Sequence, residues 1–178
     1  SFIFLESGFD PSYMFGGVSL SHEASAKISD SRYSVFEGDE YKSSPTDNTP
    51  KFAYYKTTHL LLTAVSWDHA DLYPTEESYF EVFRKLISNI PDKGFIIANK
   101  DNAKVKELIE KSDKKIIWYG KENKENADYS YSDISQSKNG LNFIIKYKNE
   151  KYKIKSPMIG AFQAENITGC FAMASEIG

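Results

Sequence analysis

Residues 59–119 read HLLLTAVSWDHADLYPTEESYFEVFRKLISNIPDKGFIIANKDNAKVKELIEKSDKKIIWY, and three apolar runs punctuate them. Leu60 to Val65 is nearly continuous and bounded by polar residues, the pattern of a strand buried on both faces. Phe95 to Ala98 and Lys115 to Tyr119 read as the next two strands. Between the first two runs, Thr75 is a fair N-cap, with Glu76 and Glu77 in the first turn. Tyr79, Val82, Phe83, Leu86, Ile87 and Ile90 follow at helical spacing, and Pro91 to Gly94 ends that helix. Asn102 to Lys111 is a second amphipathic helix with Val105, Leu108 and Ile109 facing inward. Strands alternating with helices predict an α/β fold built on a parallel, doubly wound sheet.

The pattern changes at Gly120. A charged linker over 122–128 precedes three further strands, Tyr129 to Ser135, Leu141 to Tyr147 and Lys151 to Ile154. Asn139-Gly140 is a hairpin signal and Lys148-Asn149-Glu150 a second turn, so these strands predict a small antiparallel β-meander appended to the parallel sheet. Lysines alternate with apolar residues from Lys138 to Lys155, as on the wet face of a sheet. Ala164 to Ile177 is apolar enough for a buried closing helix. Towards the start, Ser1 to Ser7 reads as the end of a helix stopped by Gly8, and Phe15-Gly16-Gly17-Val18 as a short strand or turn. Tyr33 to Phe36 is expected to be a short buried strand, and Lys42 to Pro50 a polar loop.

The 178 residues suffice for one sizeable domain. A net charge of −3 argues against a nucleic-acid partner held by charge, and the aromatic residues, abundant as they are, are not interleaved with basic ones. No apolar run approaches a membrane span. The single cysteine, Cys170, cannot form an intrachain disulfide, which fits a reducing compartment, and its apolar helical surroundings predict a packing role. The abrupt apolar start, with no Met and no basic leader, is the expectation for a chain cut from something longer.

Two stretches carry candidate chemistry. Phe36-Glu37-Gly38-Asp39-Glu40-Tyr41 places an acidic cluster after one apolar run, and Trp67-Asp68-His69-Ala70-Asp71 places an Asp-His pair after another. In a parallel sheet ligands gather where strands end, so both would meet at one edge, beside a nucleotide and around a divalent metal. The bland alternatives are a solvated acidic turn and a helix-capping histidine.

In order along the chain, Phe15-Gly16-Gly17-Val18, Phe36 to Tyr41, Lys51-Phe52, Asp68-His69-Ala70-Asp71 and Gly160 to Asn166 resemble the central ATPase domain of the Mur ligases. These are the ATP-dependent amide-forming enzymes of peptidoglycan assembly. The resemblance covers essentially all of the chain. It implies a P-loop-type sheet, with the parallel α/β part at about 1–120 and 157–178 and the meander at about 128–156. It implies a bacterial cytoplasmic enzyme using ATP and Mg2+, and UDP-N-acetylmuramate plus an amino acid or short peptide as substrates, with no nucleic acid and no membrane as partner. Tyr41 and Ala70 favour the branch that adds a murein tripeptide over the branch that adds L-alanine. No G-x-x-x-x-G-K-[ST] occurs in the sequence, so the whole, 1–178, is expected to be a central-domain fragment without the phosphate-cradling loop and inactive by itself.

Carried over residue by residue, the resemblance makes Glu37 the metal-ligating carboxylate and His69 the ligand of a second metal site. Asp39 and Glu40 become supporting groups, Gly16 and Gly17 neighbours of the UDP-sugar, and Asp68 and Asp71 loop-ordering residues. Asn166 falls on the asparagine that reads the adenine edge, for which an amide supplies both donor and acceptor. Gln163 and Phe162 replace the Asn and His of the family's G-x-H-N-x-x-N, and Lys42, Ala64 and Ser66 also depart from its pattern. Phe83 stands where some relatives carry a carbamylated lysine, so no carbamate is expected. Two other classes compete: a non-catalytic Mur-like binding module, and a metal-dependent hydrolase on Glu37, Asp39 and His69. The hydrolase needs more ligands than His22 and His59 supply.

Overall fold

The computed structural model describes residues 1–18, 24–122 and 126–178. They form two compact units, Ser1–Tyr55 and Lys56–Gly178. Part of the expected linker over 122–128 lies outside the described residues, as does His22.

The first unit opens with α1 (Phe2–Glu6) and continues through β1 (Ser12–Met14), β2 (Ala26–Lys27) and β3 (Ser34–Phe36). These strands make a small sheet in the order β2-β1-β3, with β3 parallel to β1 and β2 antiparallel to it. The rings of Phe4, Phe9 and Tyr33 pack together beside it, with Tyr33 5.4 Å or less from each of the others. The expected buried strand is thus a three-residue strand of a separate sheet, not part of the parallel one. Phe36 is 45% exposed, because neighbours two and three residues long cannot cover both faces.

The expected loop after it is a hairpin, β4 (Lys42–Ser44) with β5 (Asp47–Pro50), followed by a 3-10 turn over Lys51–Tyr54. Asp47 organises it, accepting from the Ser43 hydroxyl at 2.6 Å, the Tyr54 hydroxyl at 2.6 Å and the Thr49 N–H at 2.9 Å. These donors, Ser43 first, hold its carboxyl well below the usual carboxylate range. Polar, proline-bearing sequence hid this hairpin, since side-chain bonds rather than burial hold it together.

In the second unit the elements are β6 (His59–Leu62), α2 (Glu76–Ser88), β7 (Phe95–Asn99), α3 (Ala103–Ile109), β8 (Lys115–Lys121), β9 (Tyr129–Ser137), β10 (Gly140–Tyr147), β11 (Glu150–Ser156) and α4 (Phe162–Ile177). One six-stranded sheet runs β11-β10-β9-β8-β7-β6. Strands β6 to β9 are mutually parallel and β9 to β11 antiparallel, so β9 belongs to both patterns. The mostly parallel sheet with an appended meander is therefore observed. The strand buried on both faces is β7, every residue of which is buried; β6 lies at the sheet edge and buries only Leu62.

Local signals set the helices. Thr75 and Ser78 form a reciprocal capping box on α2, and the Asn102 side chain accepts the Val105 N–H at 3.0 Å to start α3. In α2, Phe80 is buried beside Tyr79 and Phe83, and Val82 is only half-buried. Helix α3 packs on β7 and α2 on α3. On the other sheet face Phe95, Ile97, Ile117, Tyr119, Tyr129, Tyr131, Leu141, Phe143 and Ile145 form one core with Ala164 and Ala172 of α4. The lysine-rich segment behaves as expected: Lys151, Lys153 and Lys155 of the edge strand β11 are exposed, while Tyr152 and Ile154 face that core.

Cys170, expected to pack, is exposed. The inward stripe of α4 is Ala164, Thr168, Gly169 and Ala172, and Cys170 follows Thr168 by two residues, about 200° around the helix. Gly169 lets α4 lie close to the sheet. A Cβ there would fall 2.8 Å from Leu61 Cδ1 and 3.0 Å from the Tyr119 ring.

Two predictions follow from this core. The Tyr119 hydroxyl is buried without a hydrogen-bond partner among the described residues, and burial pushes its ionisation far up. Tyr119→Phe removes that unsatisfied group and is expected to stabilise by about 1 kcal/mol, read as a higher denaturation midpoint. His59 stacks edge-on against Phe95 at 4.3 Å, and burial lowers its pKa below the ordinary 6.5. The unfolded chain then binds the proton more readily, so the His59 contribution is full above about pH 6.5 and declines as pH falls below it. Melting between pH 5 and 7 should be flatter for His59→Gln than for the wild type.

Candidate functional site

Glu37 immediately follows β3. Its backbone N–H donates to the Met14 carbonyl at 3.0 Å, and its Oε2 accepts the Gly16 N–H at 2.6 Å. A Cβ at Gly16 would lie 3.2 Å from that oxygen, so glycine admits the carboxylate. Gly16 and Glu37, separated by 21 residues, are thus brought together, whereas Gly17 is exposed beside them. The Glu37 side chain is exposed, and its Oε1 makes no hydrogen bond among the described residues.

Asp39 faces inward along the same turn. Its Oδ1 accepts the Tyr41 N–H at 2.8 Å and its Oδ2 pairs with the Lys51 ammonium at 2.6 Å. Two backbone bonds reinforce the pairing, Lys51 N–H to the Tyr41 carbonyl at 3.0 Å and Phe52 N–H to the Asp39 carbonyl at 3.1 Å. The Asp39 carboxylate raises the Lys51 pKa. Burial raises that of Tyr55, whose ring packs on Phe36 at 5.1 Å. Glu40 is half-buried, and Lys42 lies over the Tyr41 ring at 5.6 Å. Sequence reasoning assigned Lys51 no role. Its position in a turn far from Asp39 in the chain left no periodic signal.

In the second unit the loop after β6 carries His69 in the left-handed backbone region, with φ 54°. Its N–H donates to Asp68 Oδ1 at 2.6 Å, and its carbonyl accepts from both Leu72 and Tyr73 at 2.8 Å. The Trp67 indole N–H closes the loop on the Tyr73 carbonyl at 2.9 Å. His69 therefore sits at a tight turn and does not cap α2, the helix Thr75 caps; Asp68 orders the loop. A side chain held at positive φ costs free energy that surrounding bonds must offset, a pattern concentrated at functional sites. Phe83, the position that the resemblance compares with a carbamylated lysine, is buried in α2.

The carboxyl ends of the parallel strands hold a polar group that sequence reasoning missed. Asn99, 2% exposed, ends β7; its Nδ2 donates to the Thr63 carbonyl at 2.9 Å and its Oδ1 accepts the Asp101 N–H at 2.9 Å. Asp101 in turn accepts the Lys121 N–H at 2.7 Å, directly over Gly120. One buried amide thus ties together the segments leaving β6 and β7. A polar residue closing a wholly apolar strand was the available signal.

Helix α4 runs antiparallel to β8. Gly169 lies against Tyr119, Glu165 lies 3.5 Å from the Tyr131 hydroxyl, and Glu176 at the far end is 3.6 Å from Lys115 at the start of β8. The first turns of α4, with half-buried Gln163 and Asn166, therefore stand at the carboxyl edge, where ligands bind in open α/β sheets. No side chain caps this helix start. Gly160, at φ 109°, turns the chain into α4, donates its N–H to Gln136 Oε1 at 3.1 Å and underlies Phe162, which is 64% exposed.

These donors fit a hard, oxygen-seeking cation and an adenine. Glu37 offers one uncommitted carboxylate oxygen in the open, as suits magnesium with most of its water shell retained. Asn166 offers an amide, donor and acceptor together, at the carboxyl edge of the sheet. Among the described residues no three His, Cys, Asp or Glu side chains cluster as a metal centre.

Residues 20–174 match the Mur ligase middle domain. The chain belongs to that family. It is 28% identical over 181 residues to the UDP-N-acetylmuramate–L-alanine ligase of Wigglesworthia glossinidia brevipalpis, covering 100% of this chain and 36% of that protein. It is 25% identical over 179 residues to the UDP-N-acetylmuramate–L-alanyl-gamma-D-glutamyl-meso-2,6-diaminoheptandioate ligase of Haemophilus influenzae, covering 97% and 37%. The chain therefore spans little more than a third of the curated relatives it matches. The fold superposes on the crystal structure of UDP-N-acetylmuramate:L-alanyl-gamma-D-glutamyl-meso-diaminopimelate ligase from Neisseria meningitides with a TM-score of 0.84 and 21% identity, over 99% of this chain and 56% of that one. No helix among the described residues of this Mur ligase domain is long and apolar enough to cross a membrane.

Replacing Asn99 by Ala strands the Thr63 carbonyl and the Asp101 N–H. The expected cost is about 1–3 kcal/mol of unfolding free energy in chemical denaturation.

Proposed function

We propose that the full-length protein containing this chain is an ATP-dependent amide ligase of peptidoglycan synthesis or recycling. It would join an amino acid or short peptide to UDP-N-acetylmuramate through an acyl phosphate. The observation that carries the reading is the family match over residues 20–174, which spans Glu37, His69 and Asn166. The reading makes the protein a bacterial cytoplasmic enzyme.

In this reading Glu37 would hold magnesium, its carboxylate oriented by the Gly16 N–H. His69 would serve a second metal position, from a turn whose backbone is fixed by bonds to Asp68, Leu72 and Tyr73. Bound magnesium supplies charge neutralisation to the phosphoryl group in transfer. Asn166 reads the adenine edge, and Gln163 extends a second amide to the same base from a longer arm. Phosphate is cradled by parts of the full-length protein outside these 178 residues, so the isolated chain does not turn over.

For the acceptor, Tyr41 and Ala70 favour the tripeptide over L-alanine. Both activities occur in the names of the curated relatives, which makes the acceptor a matter for direct assay. ATP hydrolysis by the full-length protein, with UDP-N-acetylmuramate and either L-alanine or the tripeptide, tests the proposal. Turnover with the tripeptide alone is expected. Turnover with alanine alone moves the protein to the other branch, and no ATP use with either leaves a non-catalytic Mur-like module.

Within the same assay, Glu37→Gln and His69→Ala should each lower turnover roughly a hundredfold or more. Their melting temperatures should stay close to the wild type, since neither side chain is part of a core. Wild-type turnover in either variant refutes that ligand.

A further inference from the structure

The acidic turn carries three carboxylates in four residues, Glu37, Asp39 and Glu40, yet they are not equivalent. Both oxygens of Asp39 are engaged, one by the Tyr41 N–H at 2.8 Å and one by Lys51 at 2.6 Å. Glu37 has one oxygen, Oε1, with no hydrogen bond among the described residues. Lys51 is itself held in register, because its N–H and that of Phe52 bond to the carbonyls of Tyr41 and Asp39. The backbone of Lys51 is thus fixed beside the turn, and its ammonium pairs with Asp39, two residues along the chain from Glu37.

We propose that Lys51 is a counter-ion built into the acidic turn, a positioning residue that keeps Asp39 out of cation coordination and leaves Glu37 as the direct ligand. The proposal rests on the reading of Glu37 as a metal ligand. A fixed monovalent cation beside the site repels a divalent one, so the turn binds metal weakly by itself. Affinity becomes useful when the phosphates of a nucleotide add negative charge and oxygen ligands. Without Lys51, Asp39 is released and the turn becomes a chelator: it takes cations before nucleotide arrives, in a geometry with two carboxylates rather than one.

The test is Mn2+ binding to the full-length protein without nucleotide, followed by electron paramagnetic resonance, with thermal melts of every variant. Lys51→Met is expected to bind Mn2+ at least about tenfold more tightly than the wild type, while Lys51→Arg stays near it. A purely structural role for Lys51 would leave the affinity unchanged or weaken it, and either result overturns the proposal. Should Lys51→Met not fold, the double variant Lys51→Met with Asp39→Asn, which removes both charges of the pair, decides. Mn2+ affinity in the presence of ATP should stay within about twofold of the wild type, and its loss would make Asp39 a direct ligand and overturn the proposal. Glu37→Gln separates the two levels. Lost binding there with an unaffected Lys51→Met sinks the counter-ion alone, whereas unaltered binding in Glu37→Gln removes the metal reading and the counter-ion with it.

Discussion

Close contact between α4 and the six-stranded sheet, made possible by Gly169 against Leu61 and Tyr119, is the constraint on which the second unit depends. It sets the spacing at which Ala164 and Ala172 join the aromatic and aliphatic face of β7 to β10. It also sets direction. Glu176 pairs with Lys115 at one end and Glu165 approaches Tyr131 at the other, so the start of α4 stands where the parallel strands finish. Core packing thereby places Gln163 and Asn166 at the carboxyl edge of the parallel strands. The unsatisfied Tyr119 hydroxyl is a cost of the same close approach.

A different principle governs the candidate metal residues. Neither Glu37 nor His69 is positioned by burial. Glu37 is oriented by one backbone N–H, and its acidic neighbour is tied down by Lys51. His69 is held in a left-handed conformation by bonds to Asp68, Leu72 and Tyr73. Hydrogen bonds in loops, one to the Glu37 carboxylate and three to the His69 backbone, therefore fix these segments, as where loops carry chemistry on a rigid scaffold.

How much of this was readable in the sequence follows from which force holds each part. The β7 and β8 strands, α2, α3 and the meander were visible because burial imposes a period on apolar residues, and caps such as Thr75 and Asn102 mark helix starts. Strand β3 misled because a run of apolar character from Tyr33 to Phe36 looks the same whether its sheet has one covered face or two. The β4–β5 hairpin was invisible because Asp47 binds it through side chains, and such residues read as loop. Glu37, His69, Gln163 and Asn166 were reached through order and spacing of motifs. Lys51 stood in the Lys51-Phe52 motif with no role attached and Asn99 in no motif, and their pairings stayed hidden because the partners lie 12 and 36 residues away in the chain.

The account stands or falls on the carboxyl edge of the parallel strands being the side that meets nucleotide. Hydrogen exchange of the full-length protein, with and without magnesium and a non-hydrolysable ATP analogue, measures this directly. Slowed exchange is expected at 99–101 and across the first turns of α4, at 162–167, with little change at the opposite edge around His59, Phe95 and Lys115. Protection confined to that opposite edge, with α4 unaffected at its start, would contradict it.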